Sequence, residues 1–409
     1  MVATEHIDSS LTARTSTVTS TPSSSRSAST LLIAALALPG LGALTTLQPL
    51  EARAENAPEM TTIGVKYGSY QDSQPGLERV RVRAPQLYFQ APVAGEWSVE
   101  AAWVGDSVSG ASPRMHTQRS GASHMNDHRT AEEVKVTRYM ARSAVSASAS
   151  YSTEHDYVSK AMGLQSRWSS DDNNRTWVLG YGHSTDWIDN QYNGVNTAIN
   201  QHKISNEFMA GITQILTPRD VAQFNLTRTI GSGYFNDPYK AFDSRPRSRN
   251  AWIALARWNH YLVDFDIAAR SSYRYYSDTF GVKSHTLGLE LAQNIGKWTV
   301  TPGFRYYQQS AASFYFDPKL DSQGRYDELA TIQYAAGLAG YKSADQRLSS
   351  FGATTLSLKV AYAVGPNTVV DIKMDRYRQD AGLKFSGAGS PSLAPFSARF
   401  VQFGLTHRF

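Results

Sequence analysis

Three histidines and two methionines crowd one stretch, "RMHTQRSGASHMNDHR" at 114–129, in a chain holding ten histidines and eight methionines. Imidazole and thioether ligands together suit copper. His124 and His128 are four apart, so one helical turn would put both on one face. His116, Met115 and Met125 would complete the set. The competing reading is a solvated polar loop whose histidines share no focus. A second ligand class is oxygen. Asp106, Glu154, Asp156, Asp237, Asp243, Asp278 and Asp317 fall near one predicted rim, where clustered carboxylates would hold calcium and scattered ones would only be hydrated.

A third stretch, "GYGHSTDW", sets His183 beside Ser184 and near Asp186. A Ser–His–acid hydrolase acting on lipid or peptide needs its nucleophile within hydrogen-bond reach of its base. Neighbours on a strand face opposite sides, so His183 and Ser184 do not form that pair. "GSG" at 231–233 lacks the strand-to-helix context of a phosphate loop. Zero cysteines remove disulfides, thiol catalysis and thiolate zinc sites. The net charge of +5 comes without a basic cluster interleaved with aromatics, which argues against nucleic acid.

The elements that would position these groups are strands. From Met60 onward, segments of about 9–13 residues alternate apolar with polar or small side chains, as in a membrane β-barrel. In "SARFVQFGLTHRF", Val401, Phe403, Leu405 and Phe409 oppose Gln402, Gly404, Thr406 and Arg408. "NTVVDIKMDRY", "HTLGLELAQN" and "KWTVTPGFRYY" repeat the pattern. Strand starts near 61, 79, 97, 134, 145, 158, 175, 203, 220, 250, 265, 283, 297, 349, 368 and 397 predict about sixteen strands, with fourteen or eighteen as alternatives. The fold class expected is therefore all-β, a transmembrane antiparallel barrel. Short turns at 93–96, 170–174, 217–220, 263–266, 294–297 and 364–367 alternate with long links near 105–133, 188–201, 233–249, 310–346 and 380–396. That is the pattern of short periplasmic turns and long external loops.

Ahead of the barrel, "LLIAALAL" at 31–38, then Pro39-Gly40 and the small-x-small Ala52-Arg53-Ala54, read as an export signal over 1–54, with the barrel over 55–409. A final strand ending in Phe409 resembles the C-terminal signature by which barrel-assembly machinery recognises outer-membrane proteins, so that machinery is an expected partner.

On this frame the charged residues opposite the apolar faces line a lumen: Arg81, Arg83, Arg270, Arg274, Arg305, Lys359, Lys373 and Arg408, with Glu100, Asp266, Glu290, Asp371 and Asp375. They would either select solutes, as charged rings do in pores, or pair internally and plug the barrel. In the first case the basic surplus favours small anions. Asp106, Ser109, Asp127 and Arg129, with the repeated "SGAS" at 109–112 and 120–123, are read as loop-organising residues. So are Asp237 and, in "YKAFDSRPRSR", Arg245 and Arg247; that stretch also suits a loop salt bridge and a lipid-headgroup patch.

Several stretches resemble a family of outer-membrane proteins, domain-of-unknown-function family 3570. They are "DSVSGASP" (106–113), "SGASHMNDHR" (120–129), "YSTEHDYVS" (151–159), "GYFNDPYKAFDSRPRSR" (233–249), "SSYRYYSDTFGVKSHTLGLEL" (271–291) and "RYYQQSAASFYF" (305–316). The resemblance implies a β-barrel of the Gram-negative outer membrane with no established activity. It implies lipid and lipopolysaccharide as surroundings, and relatives encoded beside a flavin transferase and a thioredoxin-like protein, hence small periplasmic partners. The family's pattern carries the "SGAS" and D-x-R elements but not the three histidines, which makes His116, His124 and His128 particular to this chain. The function expected is that of a non-catalytic barrel, a pore or a surface or scaffold protein, with no cofactor beyond copper or calcium on loops.

Overall fold

The computed structural model describes residues 56–75, 77–112, 123–190, 198–240 and 242–409. Sixteen strands run through them. The first eight are β1 (Thr62–Gln74), β2 (Leu77–Val93), β3 (Trp97–Ser112), β4 (Ser123–Met140), β5 (Ser143–Thr153), β6 (Tyr157–Ser169), β7 (Arg175–Asn190) and β8 (Ala198–Thr217). The rest are β9 (Asp220–Gly233), β10 (Ser248–Leu262), β11 (Ile267–Asp278), β12 (Lys283–Ile295), β13 (Trp298–Gln309), β14 (Phe351–Ala363), β15 (Thr368–Asp380) and β16 (Phe396–Arg408). Each pairs antiparallel with its sequence neighbours, and β1 closes on β16 from Thr62↔Arg408 to Ser73↔Ser397.

Period-2 alternation alone also fits a soluble sheet. Burial decides between the two. The apolar face is the exposed one: Val65 is 45% exposed, Met162 60%, Leu287 52% and Phe403 57%. The polar face is buried, with Asp72, Ser98, Glu100, Lys135, Asp186 and Asp371 inside. An apolar belt running round a closed barrel has no place in water. In lipid it is required, and closure leaves no strand edge unpaired. This is the architecture of an outer-membrane barrel.

The two ends differ. One carries only tight turns, helped by left-handed residues such as Gly95 (φ 73°) and Asp266 (φ 51°). There the first and last strands meet, Thr61 N donating to the Phe409 carbonyl at 2.9 Å. Trp97, Trp168, Trp177, Trp258 and Trp298 sit near this end of their strands, Trp168 stacking on Trp177 at 6.4 Å, as interfacial aromatics do. The other end carries long connections over 234–247, 310–350 and 381–395. The second of these holds helix α1 (Glu328–Gly337), capped by the Asp327 carboxylate on Ala330 N at 2.9 Å. Lys342 Nζ donates to the Ala335 carbonyl at 2.7 Å, at the negative end of α1.

Two expectations shift. Residues 105–133 are mostly not loop, because β3 runs to Ser112 and β4 starts at Ser123. Asp266 lies in a turn, accepting from the Tyr261 hydroxyl at 2.5 Å, and not in the lumen. Residues 1–54, with the export signal, lie outside the described residues.

Candidate functional site: a cation-lined cavity beneath a folded cap

Along β11 the even-numbered residues point inward, because Tyr273 on the odd register is 41% exposed. Arg270 and Arg274 therefore face the lumen. The same parity turns Glu290 of β12 inward, since Leu287 and Leu289 are exposed, and Arg305 of β13, since Phe304 is exposed. Lys359 of β14 and Asp371, Lys373 and Asp375 of β15 follow.

Towards the turn end this wall is internally compensated. Lys373 pairs with Asp375 at 3.0 Å and Lys359 approaches Asp371 at 3.9 Å. Arg270 and Glu290 are direct cross-strand partners. Across the lumen, Lys135 pairs with Glu100 at 2.7 Å, and Lys203 with the fully buried Asp186 at 3.0 Å.

Towards the loop end the balance changes. Arg274 lies over the Tyr276 ring at 5.5 Å and Arg305 over Tyr307 at 5.6 Å. Among the described residues neither has a carboxylate within 4 Å. A cavity of about 350 Å³ opens here, and Lys203, Glu207, Arg249, Arg274, Tyr307 and Arg347 are among its walls. Four cations thus face one carboxylate. Arg249 is tied to Asp278 at 2.7 Å and Lys203 to Asp186, which leaves Arg274, among the described residues, as the guanidinium of the wall without an ion pair.

Arg347 belongs to the 310–350 connection, so this loop reaches into the barrel. It is clamped there by a charge cluster shared with 234–247. Asp345, with no exposed surface, accepts from Arg245 Nη2 at 2.8 Å and from Arg347 Nε at 2.8 Å. Arg245 also pairs with Asp243 at 2.8 Å, Arg347 with Asp237, and Ser343 donates to Asp243. Burial opposes ionisation of Asp345, but Arg347, Arg245 and Lys240 outweigh it and hold the carboxyl well below the usual carboxylate range. Burial pushes Asp243 up and Lys240 down. Around the clamp, Phe280, Val282, Ala312 and Leu348 form one apolar cluster, and Phe316, Ala335 and Ala344 another. The result is a folded cap over the cavity.

Several candidate residues land elsewhere than their spacing suggests. Arg81 and Arg83 face outward: Arg81 is exposed, pairs with Glu78 at 2.7 Å and shares a register with Leu87 and Phe89. The interleaved Val80 and Val82 are the inward residues, packed with Tyr70, Tyr377 and Phe400. Asp106 and Arg129 pair, Nε to Oδ2 at 3.0 Å, as cross-strand partners inside the barrel and not in a loop. Asp237 joins the clamp together with Asp243 and Arg245 of "YKAFDSRPRSR", so these three side chains are engaged internally and form no headgroup patch. Arg247 is exposed and contributes its carbonyl to Gly233 N at 2.8 Å. Ser109 and Asp127 lie on β3 and β4, with side chains outside the described residues.

The histidine cluster is drawn apart. His116 lies outside the described residues; His124 and His128 both fall on β4. On a strand, four residues span about 13 Å, so the helical-turn argument for a shared copper fails. The acidic residues near the rim are held by cations and hydroxyls: Asp106 and Glu154 share Arg129, Asp237 and Asp243 belong to the clamp, Asp278 pairs with Arg249, and Asp156 and Asp317 accept from the Tyr239 hydroxyl at 2.5 Å and the Tyr315 hydroxyl at 3.0 Å. Among the described residues no three His or acidic groups converge as a metal site. His183 faces outward, bonded to Asn206 at 2.9 Å, while Ser184 is buried on the lumen side. The expected separation of that pair holds.

Sequence reasoning misses Lys203, Glu207, Arg249, Asp345 and Arg347. Strand parity marks the first three, since Glu207 stands beside the exposed Phe208 on the opposite register. Nothing periodic marks the last two, which sit in a long connection.

Among solved structures, the chain is similar to a bacterial polysaccharide outer membrane secretin at 8% identity, with 86% of this chain and 98% of that chain covered and a TM-score of 0.49. It is also similar to CdiB from Acinetobacter baumannii (8% identity, 84% and 60% covered, TM-score 0.48) and to OccD3 (OpdP) of Pseudomonas aeruginosa (9%, 91% and 96%, 0.41). No curated protein sequence matches. The profile of the family described as "Protein of unknown function (DUF3570)" matches residues 28–126 and 117–400, nearly the whole barrel, and the chain belongs to that family.

Proposed function

We propose that the protein is a non-catalytic channel of the Gram-negative outer membrane for small anionic solutes, closed on its loop side by the folded cap. The observation that carries this reading is the uncompensated pair of guanidinium groups near the cavity: among the described residues Arg274 and Arg305 have no carboxylate within 4 Å, while Lys203, Arg249 and Arg347 are each neutralised by a buried aspartate. Inside low-dielectric walls such a surplus concentrates anions and repels cations. The compensated wall nearer the turns, Lys359, Lys373, Asp371 and Asp375, would hold the barrel's shape and select little. Short turns facing the periplasm and the cap facing outward follow the usual orientation of such barrels.

The test is conductance of the full barrel in planar bilayers, before and after the cap is loosened by Asp345→Asn. Anion-selective steps that become more frequent in the variant support a capped channel. A correctly folded barrel that stays silent in both states would leave a structural or scaffold role.

A further inference from the structure

The outer surface carries a second cationic feature that the channel does not use. On β15, β16, β1 and β2 the apolar belt ends at Met374, Val401, Tyr67 and Leu87; Met374, Tyr67 and Leu87 are 48%, 44% and 51% exposed. Towards the loop end the same outward register turns to arginine at once on β15 and β16, and after Pro85 on β2, while β1 carries Ser69 and Gln71. Arg376 and Arg399 are direct cross-strand partners, Arg399 lies opposite Gln71, and Gln71 lies opposite Arg81. Arg378 stands one outward step above Arg376, and Arg83 one below Arg81. All five guanidinium side chains are exposed. Among the described residues one carboxylate, Glu78, answers them, paired with Arg81.

Like charges directly opposite on neighbouring strands destabilise a sheet. An exposed Arg376–Arg399 pair, beside further arginines, is therefore costly in isolation and favourable once an anion bridges it. Guanidinium forks match phosphate oxygens in paired hydrogen bonds. Elsewhere on the outer face, Lys160 and Arg228 each lie over a tryptophan ring instead, at 5.6 Å and 4.9 Å. Four adjacent strands span about 15 Å. That width accepts a headgroup with more than one phosphate, while acyl chains lie on Met374, Val401 and Leu87 below.

We propose that this face, Arg81, Arg83, Arg376, Arg378 and Arg399, is a binding site for the phosphorylated glycolipid of the outer leaflet, the lipid A part of lipopolysaccharide. The site rests on the barrel lying in an outer membrane with its long loops outward, and is independent of whether the lumen conducts.

The test uses the full barrel in detergent and native mass spectrometry with diphosphoryl lipid A and its dephosphorylated form. The expected result is diphosphoryl lipid A binding at least about tenfold tighter than the dephosphorylated lipid, with Arg376→Gln/Arg399→Gln removing most of that preference. Arg228→Gln, outside the patch, keeps it. Inorganic phosphate at millimolar concentration does not displace the lipid. Equal binding of the two lipids by the wild-type barrel overturns the proposal without any variant. So does an unchanged preference in a double variant whose heat-modifiable gel mobility shows it folded. Displacement by inorganic phosphate alone would make this a free-anion site and overturn the lipid assignment.

Discussion

Replacing Asp345 by Asn should free the cap without unfolding the barrel. The carboxylate is wholly buried and neutralises Arg245 and Arg347, each within 2.8 Å, with Lys240 in the same field. Removing one partner of a buried ion pair costs about 3–5 kcal/mol, because the remaining charge stays buried without compensation. Asparagine keeps an oxygen for the Arg347 backbone N–H, now at 3.0 Å, which argues for the lower end. At about 3 kcal/mol the population of released cap rises roughly 100-fold. Amide hydrogen exchange reads this directly. Ala312 N, bonded to the Leu348 carbonyl at 2.8 Å, and Ser343 N, bonded to the Phe314 carbonyl at 3.0 Å, should exchange about 100-fold faster. Amides of β12 and β13 should not change. Cap exchange within about threefold of wild type would mean that apolar packing holds the cap and the charges are incidental. The pH dependence has a definite sign. A carboxyl whose folded pKa is depressed contributes stability above its unfolded value, about 3.9, and loses it as pH falls through the folded value. The Asp345 contribution should therefore be nearly intact at pH 5, begin to fade as pH falls below about 4, and be lost only below the folded value.

Two further outcomes follow from the same geometry. Glu100→Gln leaves Lys135, buried in the lumen with Glu100 at 2.7 Å, without that counter-charge; urea unfolding followed by tryptophan fluorescence should show a loss of about 3 kcal/mol, whereas an unchanged midpoint would mean the lumen is wet enough to solvate the lysine. His124→Ala and His128→Ala should leave copper uptake by the full chain unaltered, because their positions on β4 are about 13 Å apart; a stoichiometric loss of bound copper in either variant would restore the metal reading.

How much of this is legible in the sequence depends on what each signal reports. Alternation locates all sixteen strands, because a lipid-facing strand must be apolar at every second residue over its whole crossing. Period 2 separates two faces without saying which one faces out. In "ERVRVRAP" the default places Arg81 and Arg83 in the lumen. The structure turns these two outward, since Val80 and Val82 pack inward on Tyr70 and Phe400, while Arg79 is buried beside Asp72. Arg81 and Arg83 stand above the belt, where an outward charge meets headgroups and water. The Ser- and Gly-rich "DSVSGASP" reads as loop from composition, but hairpin pairing as far as Ser112↔Ser123 makes it strand. The clamp is half visible. Asp237 and Arg245 stand out in an arginine-rich stretch, while Asp345 and Arg347 are about 100 residues away and joined to them only by tertiary packing.

Whether the lumen favours small anions is decided by the reversal potential of the Asp345→Asn barrel in a planar bilayer. It is measured under a potassium chloride gradient, with and without Arg274→Ala/Arg305→Ala. A reversal potential on the chloride side, moving towards zero when the two arginines are removed, is the expected result. Steps with cation preference, or an anion preference untouched by that double change, would contradict it.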